Sequence, residues 1–162
     1  MNTLIVLVAQ YAIGLVALGA LVAWWRTPRP DKVPFAVEAV LGLVLALVLV
    51  KVSASLHADP RPFVQHPGLR PLFPHPADNG FPSDHTAISA VVAFVVLARQ
   101  RLWGVVLLAL SVLIGAARVA AHVHHWQDIG GGLLVGLVAA GISVLVVGAV
   151  VRHVWPGRVV SE

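Results

Sequence analysis

The chain has 162 residues, enough for one domain, and 59% of them are hydrophobic against 11% charged. A soluble fold of this length could not bury that much apolar side chain, so the composition, with a mean hydropathy of +0.90, excludes a water-soluble domain and predicts an integral membrane protein. The net charge is +4 with no cysteine, which excludes disulfides and thiolate metal sites; the basic residues are scattered, so no nucleic-acid surface is expected.

The expected fold is all-α, a polytopic transmembrane helical bundle of about five spans forming a single domain over 1–162. Residues 3–25 are an almost uncharged run about one bilayer thickness long as a helix. They lack a basic leader, and Trp24-Trp25-Arg26 is not a small-residue cleavage site, so this is an uncleaved span. Prolines 28 and 30 break the chain before a second span over about 35–56. From His57 to Pro82 lie seven prolines, two glycines and no helical period. This is the main loop, and Phe63, Phe73 and Phe81 predict that it rests on the bundle. The third span, about 83–98, is short for a full crossing. The fourth covers about 102–117 and the fifth about 129–151, followed by a basic tail with Arg152 and Arg158.

Five spans place the termini on opposite sides. With the first loop cytoplasmic, Arg26, Arg29, Lys32, Arg99, Arg101, Arg152 and Arg158 lie inside, and Lys51, Arg61, Arg70 and Arg118 outside. The N-terminus is then expected outside and the C-terminus in the cytoplasm. Trp24, Trp25, Trp103, Trp126 and Trp155 fall near span ends, as an interfacial belt would.

That topology gathers three polar clusters on the outer face. Lys51 ends the second span with Arg61-Pro62 beyond it, Pro82-Ser83-Asp84-His85 opens the third, and Arg118 through Asp128 joins the fourth to the fifth. Charge and histidine between apolar runs are costly unless paired or functional. If the chain is helical after His124, Asp128 lies one turn on and can hold one ring nitrogen while the other stays free, which makes a nucleophile or base. Ser83 reads as a helix N-cap and Asp84 as a first-turn acid; a helix N-terminus is also an anion site. Lys51, Arg61 and Arg118 match the oxygens of a phosphoryl group in transfer. The substrate these residues suit is a phosphate or diphosphate.

These residues resemble the type 2 phosphatidic acid phosphatase superfamily, whose signature is a lysine followed by Arg-Pro, then Pro-Ser-Gly-His, then Ser-Arg, five residues, His, three residues and Asp. Arg61-Pro62, Pro82-Ser83-Asp84-His85, and Arg118 with His124 and Asp128 carry the resemblance. Asp84 replaces the glycine, Ala117 replaces the serine, and Lys51 precedes Arg61 by ten positions where the pattern has seven. The stretch Ala77-Asp78-Asn79-Gly80-Phe81-Pro82-Ser83-Asp84-His85 looks most like the bacterial undecaprenyl-diphosphate phosphatase branch. The resemblance implies His124 as nucleophile through a phosphohistidine, Asp128 as its orienting carboxylate and His85 as general acid. It makes Lys51, Arg61, Ser83, Asp84 and Arg118 the phosphate-binding set, with no metal and no cofactor. It implies a multi-pass cell-membrane protein, its site on the extracytoplasmic face, acting on a lipid diphosphate, foremost undecaprenyl diphosphate. Phosphatidylglycerol phosphate, phosphatidic acid and other prenyl phosphates are the alternative substrates.

Other readings stand beside these. A basic pocket could bind or transport anionic lipid without chemistry. His122, His124 and His125 could hold a metal, although Arg118 and Lys51 would oppose it. His122 and His125 are otherwise expected as interfacial or supporting groups. His57, His66 and His75 read as solvated loop residues, Arg70 as an ordinary loop charge, and Asp78-Asn79-Gly80 as a turn. Gly130, Gly131, Gly132 and Gly136 are expected to permit close helix packing. Nothing in the sequence sets the oligomeric state.

Overall fold

The computed structural model of the chain describes residues 2–154. It is all-helical, with no strand among the described residues. The helices are α1 (Asn2–Arg26), α2 (Lys32–Leu56), a single turn α3 (Pro62–Gln65), α4 (Asp84–Leu97), α5 (Arg101–Ala120) and α6 (Trp126–Val154). A 3-10 turn at Arg29–Asp31 leads into α2. Arg158 and Trp155, which the topology and belt readings used, lie outside the described residues.

Helices α1, α2, α5 and α6 are long and apolar enough to cross a membrane. The shorter α4 stands in the middle, packed against all four, and buries Thr86, Ala87, Ser89, Ala90, Val91, Ala93, Val95 and Val96. At 14 residues it spans roughly 21 Å at 1.5 Å per residue, less than a hydrocarbon core. An apolar side chain gains little by leaving lipid for protein, so close approach of small residues has to hold such a bundle. The α4–α6 contact shows it. A Cβ on Gly132 would lie 2.8 Å from the Ser83 carbonyl, and one on Gly136 would lie 2.6 Å from Ala90 Cβ. Gly131 lies against Phe81. Gly130 differs from expectation: nothing approaches within 4 Å of its added Cβ, because it points away from α4.

At the end of the bundle remote from the main loop, Arg99 grips the buried Glu38 of α2 through two hydrogen bonds of 2.6 and 2.7 Å. Gln100 donates to the Ala23 carbonyl, Trp103 to that of Gly19, and Lys32 lies over the Trp24 ring. Arg99 and Lys32 are thus fastened to this end of the bundle. The main loop packs onto the opposite end, where Phe73 is buried among Ala9, Ala117, Ala121 and Val123.

Gly136→Val is expected to lower the thermal unfolding temperature in detergent, overpacking costing roughly 1–3 kcal/mol. Gly130→Ala should leave it unchanged or raise it, by up to roughly 1 kcal/mol from reduced chain entropy. Equal losses from both variants would contradict this packing.

Candidate active site

The connection between α5 and α6 is built by two helix ends in succession. Helix α5 runs three residues beyond the predicted limit, so Arg118 belongs to its last turn. The His122 N–H then bonds the Val119 carbonyl and the Val123 N–H that of Arg118, the paired closure of a Schellman motif. That motif needs a left-handed residue after the cap, and His122 supplies it at φ 62°. Its imidazole Nδ1 bonds the Arg70 carbonyl, 3.0 Å away. A non-glycine residue in this conformation costs about 1 kcal/mol, which the bond to Arg70 helps to offset.

The start of α6 is the mirror problem. His124 precedes the helix instead of lying in it, yet its Nδ1 is 3.1 Å from Asp128 Oδ2. Asp128, third residue of α6, turns its carboxylate back to accept the His125 N–H at 2.8 Å, as in a capping box. One carboxylate therefore satisfies the helix end and holds the histidine. Asp128 is fully buried, and its Oδ2, facing Nδ1, accepts the Nδ1 proton and leaves the lone pair on Nε2. Arg61 Nη1 lies 3.3 Å from that Nε2, as a donor to a lone pair should.

These elements close a pocket of about 350 Å³ whose walls include Lys51, Arg61, His75, Asp78, Asp84, His85, Arg118 and His124. Lys51 reaches it despite its unusual spacing, and has no hydrogen bond or ion pair among the described residues. Arg61 is clamped. Its Nε donates to Asp78 at 2.8 Å, Nη1 to the Val123 carbonyl at 2.8 Å and Nη2 to the Asn79 carbonyl at 3.4 Å. Arg118 Nη1 donates to the Ala9 carbonyl of α1, Nη2 meets His75, and its buried Nε has no hydrogen-bond partner. A buried donor without a partner costs about 1–3 kcal/mol.

Ser83 holds the N-cap position of α4 without the expected side-chain cap. It is fully buried, its Oγ accepting from Thr86 Oγ1 at 3.1 Å. Its N–H bonds the Asp128 carbonyl at 3.0 Å and so ties the start of α4 to the start of α6. Asp84 is exposed at the pocket rim.

The surroundings keep His124 neutral. Burial lowers its pKa, and Arg118 and Arg61 add to that; the hydrogen bond and charge of Asp128 work the other way, but the net shift is downward. A neutral, oriented imidazole beside three cations can attack an anionic electrophile that those cations bind. Burial would raise the Asp78 pKa, but the Arg61 hydrogen bond and charge hold it below the usual value.

Three groups differ from the sequence reading. His75 is not a solvated loop residue. It is partly buried in the pocket, Nε2 2.9 Å from Arg118 Nη2, its ring centroid 6.2 Å from that of His124. Asp59, which no motif marks, is buried behind the site, where it takes His125 Nδ1 at 2.9 Å and Gln127 Nε2 at 2.7 Å. Asn79 does more than make a turn. Its Oδ1 accepts the N–H groups of Asp59 and Phe81 while its Nδ2 donates to the Ala54 and His57 carbonyls, pinning the loop to the end of α2. No periodicity marks these residues, because the contacts cross long loops.

Asp59, His125 and Asp128 bring one ligand atom each within 4.8 Å of one another, a spacing that could hold a metal ion. Asp59 Oδ2 is engaged by the His125 side chain and Gln127, and Asp128 Oδ2 by His124 and the His125 N–H, whereas Asp128 Oδ1 is buried without a hydrogen-bond partner. His122 points to Arg70 instead, so the three neighbouring histidines do not form a metal trio.

The family model of the PAP2 superfamily matches residues 35–152. The bacitracin transport permease protein BcrC of Bacillus licheniformis is 32% identical over 140 residues, covering 86% of this chain and 68% of that protein. The undecaprenyl-diphosphatase BcrC of Bacillus subtilis is 32% identical over 141 residues, covering 85% and 70%. The crystal structure of Aquifex aeolicus LpxE superimposes with a TM-score of 0.73 at 26% identity, over 89% of this chain and 85% of that one.

His124 is expected to titrate below the usual imidazole value of about 6.5, so it stays neutral through neutral pH and protonates only on acidification. Asp128→Asn removes a group that favours the protonated form and should move the titration lower still, as followed by imidazole NMR. A His124 that titrates above 6.5, or rises in Asp128→Asn, would contradict this electrostatic balance.

Proposed function

Because the chain belongs to the PAP2 superfamily and is a membrane lipid phosphatase, we propose that it hydrolyses undecaprenyl diphosphate to undecaprenyl phosphate through a phosphohistidine at His124. The observation that carries this reading is one pocket holding the His124–Asp128 pair, His85 and the cations Lys51, Arg61 and Arg118 together. The relatives named for undecaprenyl diphosphate favour that substrate over the glycerophosphate lipids.

In this mechanism the terminal phosphoryl oxygens take the Lys51 ammonium, a free Arg61 or Arg118 hydrogen and the start of α4, where Ser83 and Asp84 lie. Since Arg61 Nη1 sits beside His124 Nε2, an oxygen held by Arg61 places phosphorus next to the attacking lone pair. A P–N bond forms as the P–O bond to undecaprenyl phosphate breaks, and His85, protonated from solvent as the anionic substrate enters, gives that proton to the departing oxygen and is left neutral. Asp128 stabilises the ring as it becomes cationic. Water then attacks phosphorus, His85 takes its proton, the P–N bond breaks and inorganic phosphate leaves. Every step uses a side chain of this protein, with positioning and charge supplying the catalysis.

The pocket is assigned to the extracytoplasmic face, with the N-terminus outside and the C-terminus inside. In support, Arg26, Arg29, Lys32, Arg99 and Arg101 all lie at the opposite end of the helices, as the bias of basic residues to the cytoplasm requires.

Purified protein given undecaprenyl diphosphate in EDTA is expected to release phosphate, and His124→Ala to lose that by about 10³-fold or more. Equal release from both proteins would refute the nucleophile; binding without release would favour lipid transport. The chain has no cysteine, so single-cysteine variants test the orientation. His66→Cys should react with an impermeant maleimide in intact cells and Arg101→Cys only after permeabilisation. The reverse pattern would invert the topology.

A further inference from the structure

His75 stands in the pocket but has no part in the mechanism above. Phe73, two residues earlier, is buried against α1 and α5, and prolines 74 and 76 flank the histidine, so its backbone is stiff. Its Nε2 faces Arg118 Nη2 at 2.9 Å. A guanidinium can only donate, so Nε2 must accept and the imidazole must be neutral, with its proton on Nδ1 near the Pro76 carbonyl, 3.4 Å away. Arg118 Nη1 is engaged by the Ala9 carbonyl of α1. A histidine lone pair therefore occupies the Arg118 donor that an anionic oxygen would take.

We propose that His75 is a further phosphate-binding residue: when a phosphoryl oxygen takes the Arg118 donor, His75 gains a proton from solvent at Nε2 and donates it as a hydrogen bond to the same phosphoryl group. The proposal rests on the reading of this pocket as a phosphoryl site. Arg118 and a protonated imidazole cannot bond each other, but both can donate to an anion between them, and such charge-assisted bonds are the strong ones.

The charges around His75 make this exchange reversible. Burial, with Arg61, Arg118 and His124, holds its pKa below the usual imidazole value, against the Pro76 carbonyl. His85 on α4 also faces it, as does Asp78 on its own loop. Lys51 of α2 and Asp84 of α4 share the pocket walls. Among these side chains cations outnumber carboxylates, and by themselves they keep the ring neutral. A doubly charged phosphoryl group reverses that sum, and the charged ring becomes the favoured form. A phosphodiester, with one charge, reverses it less, so His75 would help to select terminal phosphoryl groups over the diester headgroups of ordinary lipids.

The probe is tungstate, a tetrahedral dianion across neutral pH, titrated calorimetrically into the full chain in detergent, in buffers of differing ionisation enthalpy. His75→Gln keeps an acceptor for Arg118 but cannot take a proton. The wild type is expected to take up close to one proton more than His75→Gln. Its affinity should fall more steeply as pH rises, by up to about tenfold more per pH unit. Imidazole NMR of the wild type, which needs no variant, should show His75 Nε2 passing from bare to protonated on tungstate binding. Equal proton uptake and equal pH slopes, or a ring that stays neutral with tungstate bound, would overturn the proposal. If the wild type neither binds tungstate nor releases phosphate from undecaprenyl diphosphate, the phosphoryl-site reading itself fails.

Discussion

The site depends on one buried carboxylate. Asp128 accepts the His125 backbone N–H, accepts the His124 ring N–H, and through its own carbonyl receives the N–H of Ser83. The first bond starts α6, the second sets the tautomer of His124, and the third joins α6 to α4. Burying a carboxylate is unfavourable unless donors meet it, and here the donors to Oδ2, the His124 ring and the His125 N–H, are parts of the site, while Oδ1 has no partner. Stabilising the carboxylate and assembling the pocket are therefore the same event. Gly80 belongs to this arrangement too: a Cβ there would lie 3.0 Å from Asp128 Oδ2 and 3.1 Å from the Asp59 carbonyl.

Around that point the bundle solves a problem set by lipid. A polar pocket at one end requires helix ends, and helix ends leave N–H and C=O groups unpaired. The protein brings four such ends together: the C-termini of α2 and α5 and the N-termini of α4 and α6. It closes them on one another through the Schellman turn, the Asp128 cap and the Asn79 staple. The short α4 is what allows this. Since it is shorter than a hydrocarbon core, its N-terminus can lie below the rim, surrounded by helices long and apolar enough to cross a membrane.

Electrostatics follow from the same crowding. The cations that suit the pocket to a phosphoryl group also keep His124 and His75 neutral while no anion is present. An imidazole nucleophile must be neutral to attack, and a binding imidazole must be charged to hold.

The sequence by itself determined the class and the chemistry. Apolar runs between charged loops admit only membrane helices, and Arg61, His85, Arg118, His124 and Asp128 carry a recognisable spacing because each sits at or near a helix end whose register is local. Tertiary structure alone decided which loop residues join them. His75, Asp59 and Asn79 act through contacts with residues 43, 66 and 20 positions away, and a proline-rich loop has no period from which such a path can be read. It also decided the pairing of Glu38 with Arg99, 61 positions apart, and the left-handed turn at His122. The physical reason is common to all of them. A local pattern reports a residue's own helix, whereas burial of a polar group is settled only by whichever distant partner the packing delivers.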